Sequence, residues 1–397
     1  SGNHRTTPMN ETPVLPMMDD APLQGLRVLD LGQYIAAPAD AQTLADLGAD
    51  VIKLEPPGGD AARHVGWSQD AFGPMFSAYN RGKRSVVLDL RSDIGRQQAQ
   101  RLALACDVVL ANTRPGALEK QGLGAAQLLA QSPCLIYGRV SAFGQQGSAS
   151  IRPGFDIAAQ AESGMMSLNG ESDRDPVRVG FTVVDVLAAH TLATGVLTAL
   201  LRRVRTGRGG LVDLSLIDVA VAALSNAWTE YRLTGQMPLR RGNGQPLAAP
   251  AAEVIATRDG QIVLSAYTQE HFARLCATIG QPQLAQDERF ATNQARVANR
   301  SALTEMLRQA LSQFDADAIV DILAQGGIVA GTIRTMSDIQ PGRAGVSPDL
   351  FMDIHAPGRA PMQIPGLAFS LDGMPQKTSR LPALGEHTLE VMAELDL

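Results

Sequence analysis

From residue 26 onward, short apolar runs alternate with segments patterned for helices, and few architectures accommodate such a chain. Residues 26–31 (Leu-Arg-Val-Leu-Asp-Leu) predict a buried strand closed by Gly32, and residues 36–47 an Ala-rich helix with Gly48 at its exit. Residues 50–55 predict a second strand, stopped by Pro56 and Pro57. A strand–helix–strand unit implies parallel pairing through a right-handed crossover. Residues 85–90, 108–111 and 135–140 read as further strands, with helices over 94–105 and after Pro115. Such regular alternation means a doubly wound α/β domain. The turn after the first strand, Gly-Gln-Tyr-Ile-Ala-Ala-Pro, has one glycine where a dinucleotide turn needs three. Its backbone cannot approach a pyrophosphate closely, which disfavours a nicotinamide or flavin oxidoreductase.

The pattern changes after Gly210. Residues 211–215 predict a strand and 218–233 a helix, followed by a loop over 237–252. A hairpin over 254–256 and 261–265 flanks Arg258-Asp259-Gly260, and helical patterns occupy 271–279, 301–313 and 316–324. At 397 residues two domains are expected. The expected division is a flexible tail over 1–20, a large domain over 21–232 and a small α/β domain over 233–335. Residues 336–397 are expected to form a Pro/Gly-rich linker and a last helix, 386–394, that returns to the large domain.

Composition narrows the function classes. Hydrophobic residues at 45% and charged residues at 19% describe a soluble globular chain. A net charge of −6 argues against a nucleic-acid binder. Cys106, Cys134 and Cys276 are odd in number and lie in apolar contexts, as expected of buried free thiols in a reducing cytoplasm. No apolar run is read as a membrane span: the longest, 184–201, contains His190 and is followed by Arg202 and Arg203. No signal peptide is recognised. No metal-ligand spacing, serine-nucleophile elbow or phosphate-binding Gly-x-x-x-x-Gly-Lys motif is found.

Polar residues gather where strands end, the ligand edge of open α/β sheets. They fall in residues 80–84 (Asn-Arg-Gly-Lys-Arg), 112–116 (Asn-Thr-Arg-Pro-Gly) and 139–144 (Arg-Val-Ser-Ala-Phe-Gly). Singly each reads as solvated surface. Together, basic side chains beside helix N-termini suit a polyphosphorylated ligand. A lone carboxylate, Asp185, stands where the apolar segment 177–184 meets a long helical pattern. It reads either as an N-cap or as a nucleophile between apolar walls, helped by the helix N-terminus.

These segments resemble the class III coenzyme A transferases, the family of formyl-CoA transferase, carnitine CoA-transferase and α-methylacyl-CoA racemase. The resemblance runs from Leu23 to Leu397. It is carried by residues 25–31, 44–55, 80–90, 112–116, 144–147 and Pro153-Gly154-Phe155-Asp156, then by Asp185, residues 206–209, 289–293 and the closing Leu-Gly-Glu-His-Thr. It implies a Rossmann-like large domain without a dinucleotide motif, a smaller α/β domain, and an interlocked homodimer with 237–252 and 340–381 as linkers and inter-subunit contacts. It further implies a cytoplasmic enzyme taking acyl-CoA and a small carboxylic acid as substrates, with no prosthetic group, metal, nucleic acid or membrane.

The resemblance also assigns roles. Asp185 falls on the family's catalytic aspartate. Coenzyme A contacts map onto Ala36, Leu88, Leu90, Arg91, Asn112, Thr113, Arg114, Lys120, Ser141, Phe143 and Gly144, with Arg139 matching some members only. The leucines would suit the adenine face. Gln33, Gly242, Asn243, Gly244 and Gln245 are candidates for the acid substrate, and Arg178, Arg240 and Arg241 for its distal carboxylate. The racemases of the family carry a His and a Glu where this chain has Phe155 and Ala256, which cannot move a proton. CoA transfer, from succinyl-CoA to a short carboxylic or dicarboxylic acid, is therefore favoured over racemase-type isomerisation. A non-catalytic CoA-binding protein is the alternative from another class.

Overall fold

The computed structural model describes residues 21–343, 345–374, 376 and 379–397; the expected tail over 1–20 lies outside them. In chain order come β1 (Arg27–Asp30), α1 (Ala36–Asp46), β2 (Asp50–Glu55), α2 (Pro74–Tyr79), β3 (Arg84–Val87), α3 (Asp93–Leu104) and β4 (Val108–Ala111). Next are α4 (Ala125–Gln131), β5 (Ile136–Ser141), α5 (Asp156–Glu162), α6 (Val183–Thr206), β6 (Gly210–Ser215), α7 (Leu216–Ala223) and α8 (Ser225–Thr234). Then follow β7 (Glu253–Ala256), β8 (Gln261–Ser265), α9 (Gln269–Thr278), α10 (Asn293–Ala298), α11 (Arg300–Leu311), α12 (Ala316–Gln325) and β9 (Val329–Thr332). The last are β10 (Phe351–His355), β11 (Met362–Pro365), β12 (Ser379–Arg380) and α13 (Thr388–Glu394). Two compact units emerge among the described residues: 21–141 with Ala188–Leu214 and Phe351–Leu397, and Ala142–Leu187 with Ser215–Leu350.

The first unit holds a six-stranded sheet in the order β3-β2-β1-β4-β5-β6. Its pairs from β3 to β5 are parallel, with Leu29 opposite both Ile52 and Val109. The strands are short runs of Val, Ile and Leu, the composition of strands covered on both faces. Leu29, Ile52, Val86 and Val109 share one core with Leu102 of α3, Leu128 of α4 and Val391 and Met392 of α13. The end of the chain thus returns to the sheet. The His387 N–H donates to the Ser85 carbonyl, and the His387 Nδ1 and Thr388 Oγ1 accept from the Ser85 and Val87 N–H groups at 3.1 and 3.0 Å. Those bonds cover backbone groups of edge strand β3 that would otherwise be open to another chain. A small sheet, β11-β10-β12, belongs to the same unit.

In the second unit, β7, β8 and β9 form an antiparallel sheet. Ile255 and Ile262 from it pack with Phe272 of α9, Leu307 of α11 and Ile319 of α12.

Four expectations need correction. The helix predicted over 218–233 is two helices parted at Leu224, and the strand predicted over 85–90 stops at Val87. Cys134 is exposed, whereas Cys106 and Cys276 are buried. The helix expected to follow the apolar segment 177–184 begins already at Val183, within it. At 24 residues, α6 is also long and apolar enough by length and composition to cross a membrane, and 44% of its most apolar window is buried within the protein. Gly195 lies mid-helix, where glycine ordinarily costs about 1 kcal/mol. A Cβ there would stand 2.5 Å from Val212 of β6, so close helix–strand packing requires its absence.

Candidate active site

The strand order reverses between β1 and β4, and open α/β sheets bind ligands in the crevice at such a switch point. Two residues singled out from the sequence meet there. The Gln33 N–H donates to Asn112 Oδ1 at 2.8 Å, and Asn112 Nδ2 donates to the Gln33 carbonyl at 2.7 Å. The turn after β1 is fixed from below by buried charge. Lys53 Nζ donates to the Gly32 carbonyl and pairs with Asp60 at 2.9 Å, while Asp30 Oδ1 accepts from the Gly32 N–H. A Cβ on Gly32 would lie 2.7 Å from that of Ala37, so the turn tolerates no side chain there. Tyr34 is held at φ 62, and its N–H donates to Asp60 Oδ1. A tyrosine in the left-handed region costs on the order of 1–3 kcal/mol, strain typical of ligand-facing turns.

The three basic turns differ in what they leave free. Residues 80–84 are committed to structure, which corrects their reading as a phosphate site. Arg81 is buried against Asp46, and Lys83 Nζ donates to Asp30, Asn80 and the Pro38 carbonyl. Burial pushes the Lys83 ammonium down to about 8. Arg84 bridges Asp50, Glu390 and Glu394. By contrast, Arg114 and Lys120 are exposed, with no ion-pair partner among the described residues. Arg91 is exposed but paired with Asp89, and Arg139 is held by Asp213 through two hydrogen bonds. Ser141, at the end of β5, is 4% exposed, and its Oγ has no hydrogen-bond partner among the described residues. Ala36 and Leu88 are buried, Leu88 within the core itself, so Leu90 is the leucine with accessible surface. Thr113 is half-buried.

In the second unit, Phe143 lies under the Arg152 guanidinium at 4.6 Å, and Gly144 follows at φ 85. The acid-side candidates form a short turn. The Gly242 N–H donates to the Gly170 carbonyl, Asn243 is exposed, the Gly244 N–H donates to the Arg241 carbonyl, and Gln245 bridges to Ala248. Arg240 donates to the carbonyls of Glu171 and Arg174, Arg241 is exposed, and Arg178 donates to the Val179 carbonyl.

Asp185 is not the cap of α6. It lies within the first turn, two of whose N–H groups go to Asp156, the last residue of the Pro-Gly-Phe-Asp segment and one to which the sequence assigned no role. Asp156 Oδ1 accepts from the Val184 N–H at 2.6 Å and the Asp185 N–H at 3.1 Å, and Oδ2 accepts from Gln160 Nε2 at 2.6 Å. Gln160, fully buried, accepts in turn from the Val179 N–H through Oε1. Asp185 is half-buried, and its carboxylate has no hydrogen-bond or ion-pair partner among the described residues. Burial, reinforced by the negative charge of Asp156, pushes its carboxyl up to about 7. The expected help from the helix N-terminus therefore reaches Asp156 rather than Asp185. A desolvated, unpaired carboxylate of this kind is chemically a base or a nucleophile.

Comparison with known proteins agrees with this architecture. The model of CoA-transferase family III matches residues 23–388. The chain is 36% identical to the succinyl-CoA–D-citramalate CoA-transferase of Chloroflexus aurantiacus, with 94% of each chain covered. It is 35% identical to the succinate–glutarate CoA-transferase of Agrobacterium fabrum over 94% of this chain and 96% of that one. A crystal structure of a CAIB/BAIF family protein from Brucella suis superimposes with a TM-score of 0.84 at 37% identity, covering 95% of this chain and all of that one. The chain belongs to CoA-transferase family III. It is a CoA-transferase, and CoA-transferases take CoA thioesters as substrates.

Proposed function

We propose that this enzyme moves CoA from succinyl-CoA to a short dicarboxylic acid, with Asp185 as the nucleophile. The observation that carries the reading is a half-buried carboxylate in the first turn of α6, without a partner among the described residues and raised to about 7. Asp185 attacks the donor thioester carbonyl, the C–S bond breaks, and CoA leaves as thiolate from an acyl-aspartyl anhydride. The thiolate attacks the aspartyl carbonyl, releasing the donor acid and leaving an aspartyl-CoA thioester. The acceptor carboxylate attacks that thioester, and the freed thiolate takes the acceptor acyl group from the second anhydride. Asp185 is restored as carboxylate, with no net proton, oxidant or metal required. Val183, Val184 and Val186 flank it in sequence and limit its hydration.

Succinyl-CoA as donor and a dicarboxylate as acceptor are supported by the names of the two relatives. Arg114 and Lys120 are the proposed phosphate contacts, Asn112, Ser141 and Leu90 lie beside them in the assignment, and residues 242–245 meet the acceptor. The proposed domains remain 21–232, 233–335 and 336–397. An interlocked homodimer is supported by exposed apolar side chains at Leu201 and Val204 of α6, Trp228 and Leu233 of α8, and Met237, Leu239 and Leu247 beyond it. A cytoplasmic location is part of the same reading.

Mass spectrometry after incubation with succinyl-CoA and hydroxylamine tests the nucleophile. An adduct at Asp185, together with loss of transfer to a panel of acids in Asp185→Ala, is the expected result. Full turnover by Asp185→Ala refutes the assignment. Exchange of the α-proton in deuterated water without transfer to any acid would instead favour isomerisation.

A further inference from the structure

We propose that Asp156 is a positioning residue for the reaction: it claims the Val184 and Asp185 N–H groups in the first turn of α6, fixes the backbone of Asp185, and leaves the Asp185 carboxylate unpaired beside a like charge. The inference rests on Asp185 being the nucleophile and assigns a second carboxylate a part in its reactivity.

The division of donors carries it. A carboxylate in the first turn of a helix is ordinarily stabilised by the N–H groups and dipole there, and such stabilisation makes it a weaker nucleophile. Here the donors are spent on Asp156. It is 4% exposed and satisfied by three of them, two from α6 and one from Gln160, itself 0% exposed. Asp156 and Asp185 therefore divide the work: one carboxylate is hydrogen-bonded and fixed, the other is left without donors.

Among the described residues no cation forms an ion pair with either carboxylate. Glu162, at the far end of α5, is held by Arg152. Asp218 of α7, which packs on α5, is exposed. Along the chain toward and beyond Asp185, Arg178 turns to the Val179 carbonyl and His190 is exposed. Asp156 is the one charged group acting on Asp185 among the described residues, and it acts in the same direction as burial. A neutral cap such as Ser or Asn, the usual choices at helix N-termini, would satisfy the same N–H groups without the charge. The acid at 156 thus does something a cap alone does not require.

The test follows adduct formation at Asp185 from succinyl-CoA and hydroxylamine against pH, in wild type and in Asp156→Asn and Asp156→Ser, with thermal melting as the folding control. Hydroxylamine's own titration is common to all three enzymes and divides out. The expected result is a midpoint displaced toward acid by about one pH unit or more in both variants. The plateau rate is expected to fall several-fold, because a less basic carboxylate attacks more slowly. Unchanged midpoint and plateau in a folded variant overturn the proposal and leave Asp156 a structural cap. Failure of both variants to fold, also in an Asp185→Asn background where no like charge is present, overturns it too. Absence of any Asp185 adduct in wild type is a different failure, that of the nucleophile assignment itself.

Discussion

Glu55, the last residue of β2, concentrates more hydrogen bonding than any other carboxylate near the switch point, and removing it gives a quantitative test of how the first unit is held. Its Oε1 accepts from Arg63 Nη2 and from Ser85 Oγ, both at 2.7 Å, and its Oε2 accepts from Arg63 Nε at 2.7 Å and the Asp60 N–H at 2.9 Å. Glu55 and Arg63 are both fully buried. Arg63 reaches the Pro382 carbonyl at 3.2 Å and lies 3.7 Å from the centroid of the Phe76 ring. Glu55→Ala leaves a buried guanidinium without its counter-charge, a loss of about 3–5 kcal/mol. It also strands the Asp60 N–H and the Ser85 hydroxyl, each worth about 1–3 kcal/mol if left unpaired. Because the losses share one network, about 5 kcal/mol in total is expected rather than their sum. That is comparable to the whole stability of many domains. Glu55→Leu with Arg63→Met removes both charges, and should retain at least about 2 kcal/mol relative to the two single changes added together. Urea denaturation at pH 7, followed by far-UV circular dichroism, reads both. A loss below about 1 kcal/mol for Glu55→Ala, or strict additivity, would show that the pair is not the strut described. Burial alone would raise the Glu55 carboxyl, yet the hydrogen bonds and charge of Arg63 outweigh it and hold it below its ordinary value. Its contribution is therefore present above the unfolded pKa near 4.5 and lost as the pH falls through the lower folded value.

Three further outcomes are expected. The Asp185 carboxyl titrates at about 7, so the ionised fraction rises from about a tenth at pH 6 to about nine tenths at pH 8, and initial transfer rates should rise with it. Its folded pKa is above the unfolded one, so the stability it confers is full below the unfolded value and lost as the pH rises through 7. Asp185→Asn should accordingly outlast wild type in urea at pH 8 by up to about 4 kcal/mol, and not at pH 3. Arg114→Ala and Lys120→Ala should each raise the KM for succinyl-CoA by about tenfold with kcat little changed, as befits a phosphate contact of about 1.4 kcal/mol. Equal losses in kcat would place these residues nearer the chemistry.

Much of the first unit was legible because its elements are locally specified. The strand over 108–111 and the strand over 50–55 coincide with β4 and β2, since each is a short apolar run bounded by turn residues or prolines. The break at Leu224 was not legible: 218–233 has no Pro or Gly to announce it, and the helical period runs through the junction. The phosphate reading of residues 80–84 failed for another reason. Asp30, Asp46 and Asp50 lie 30 or more positions away, so only the folded sheet reveals that those cations are already claimed. Asp185 stood out as a lone carboxylate, but the residue that sets its surroundings is 29 positions upstream and looks from sequence like an ordinary helix opener. Charge environments are made by tertiary packing, and hydrophobic period does not encode them.

The return of α13 to the sheet has a consequence for how the chain comes into being. Val391 and Met392 fill the same core as Leu29 and Ile52, so the first unit cannot close until the ribosome has released almost everything described. The second unit's sheet and helices, complete by residue 332, have all emerged earlier. For the interval between, the part of the core that Val391 and Met392 fill beside α3 and α4, and the backbone edge of β3, wait for a partner about 300 positions later in the chain. During synthesis that open edge is where a chaperone, or a second nascent chain, has its opportunity.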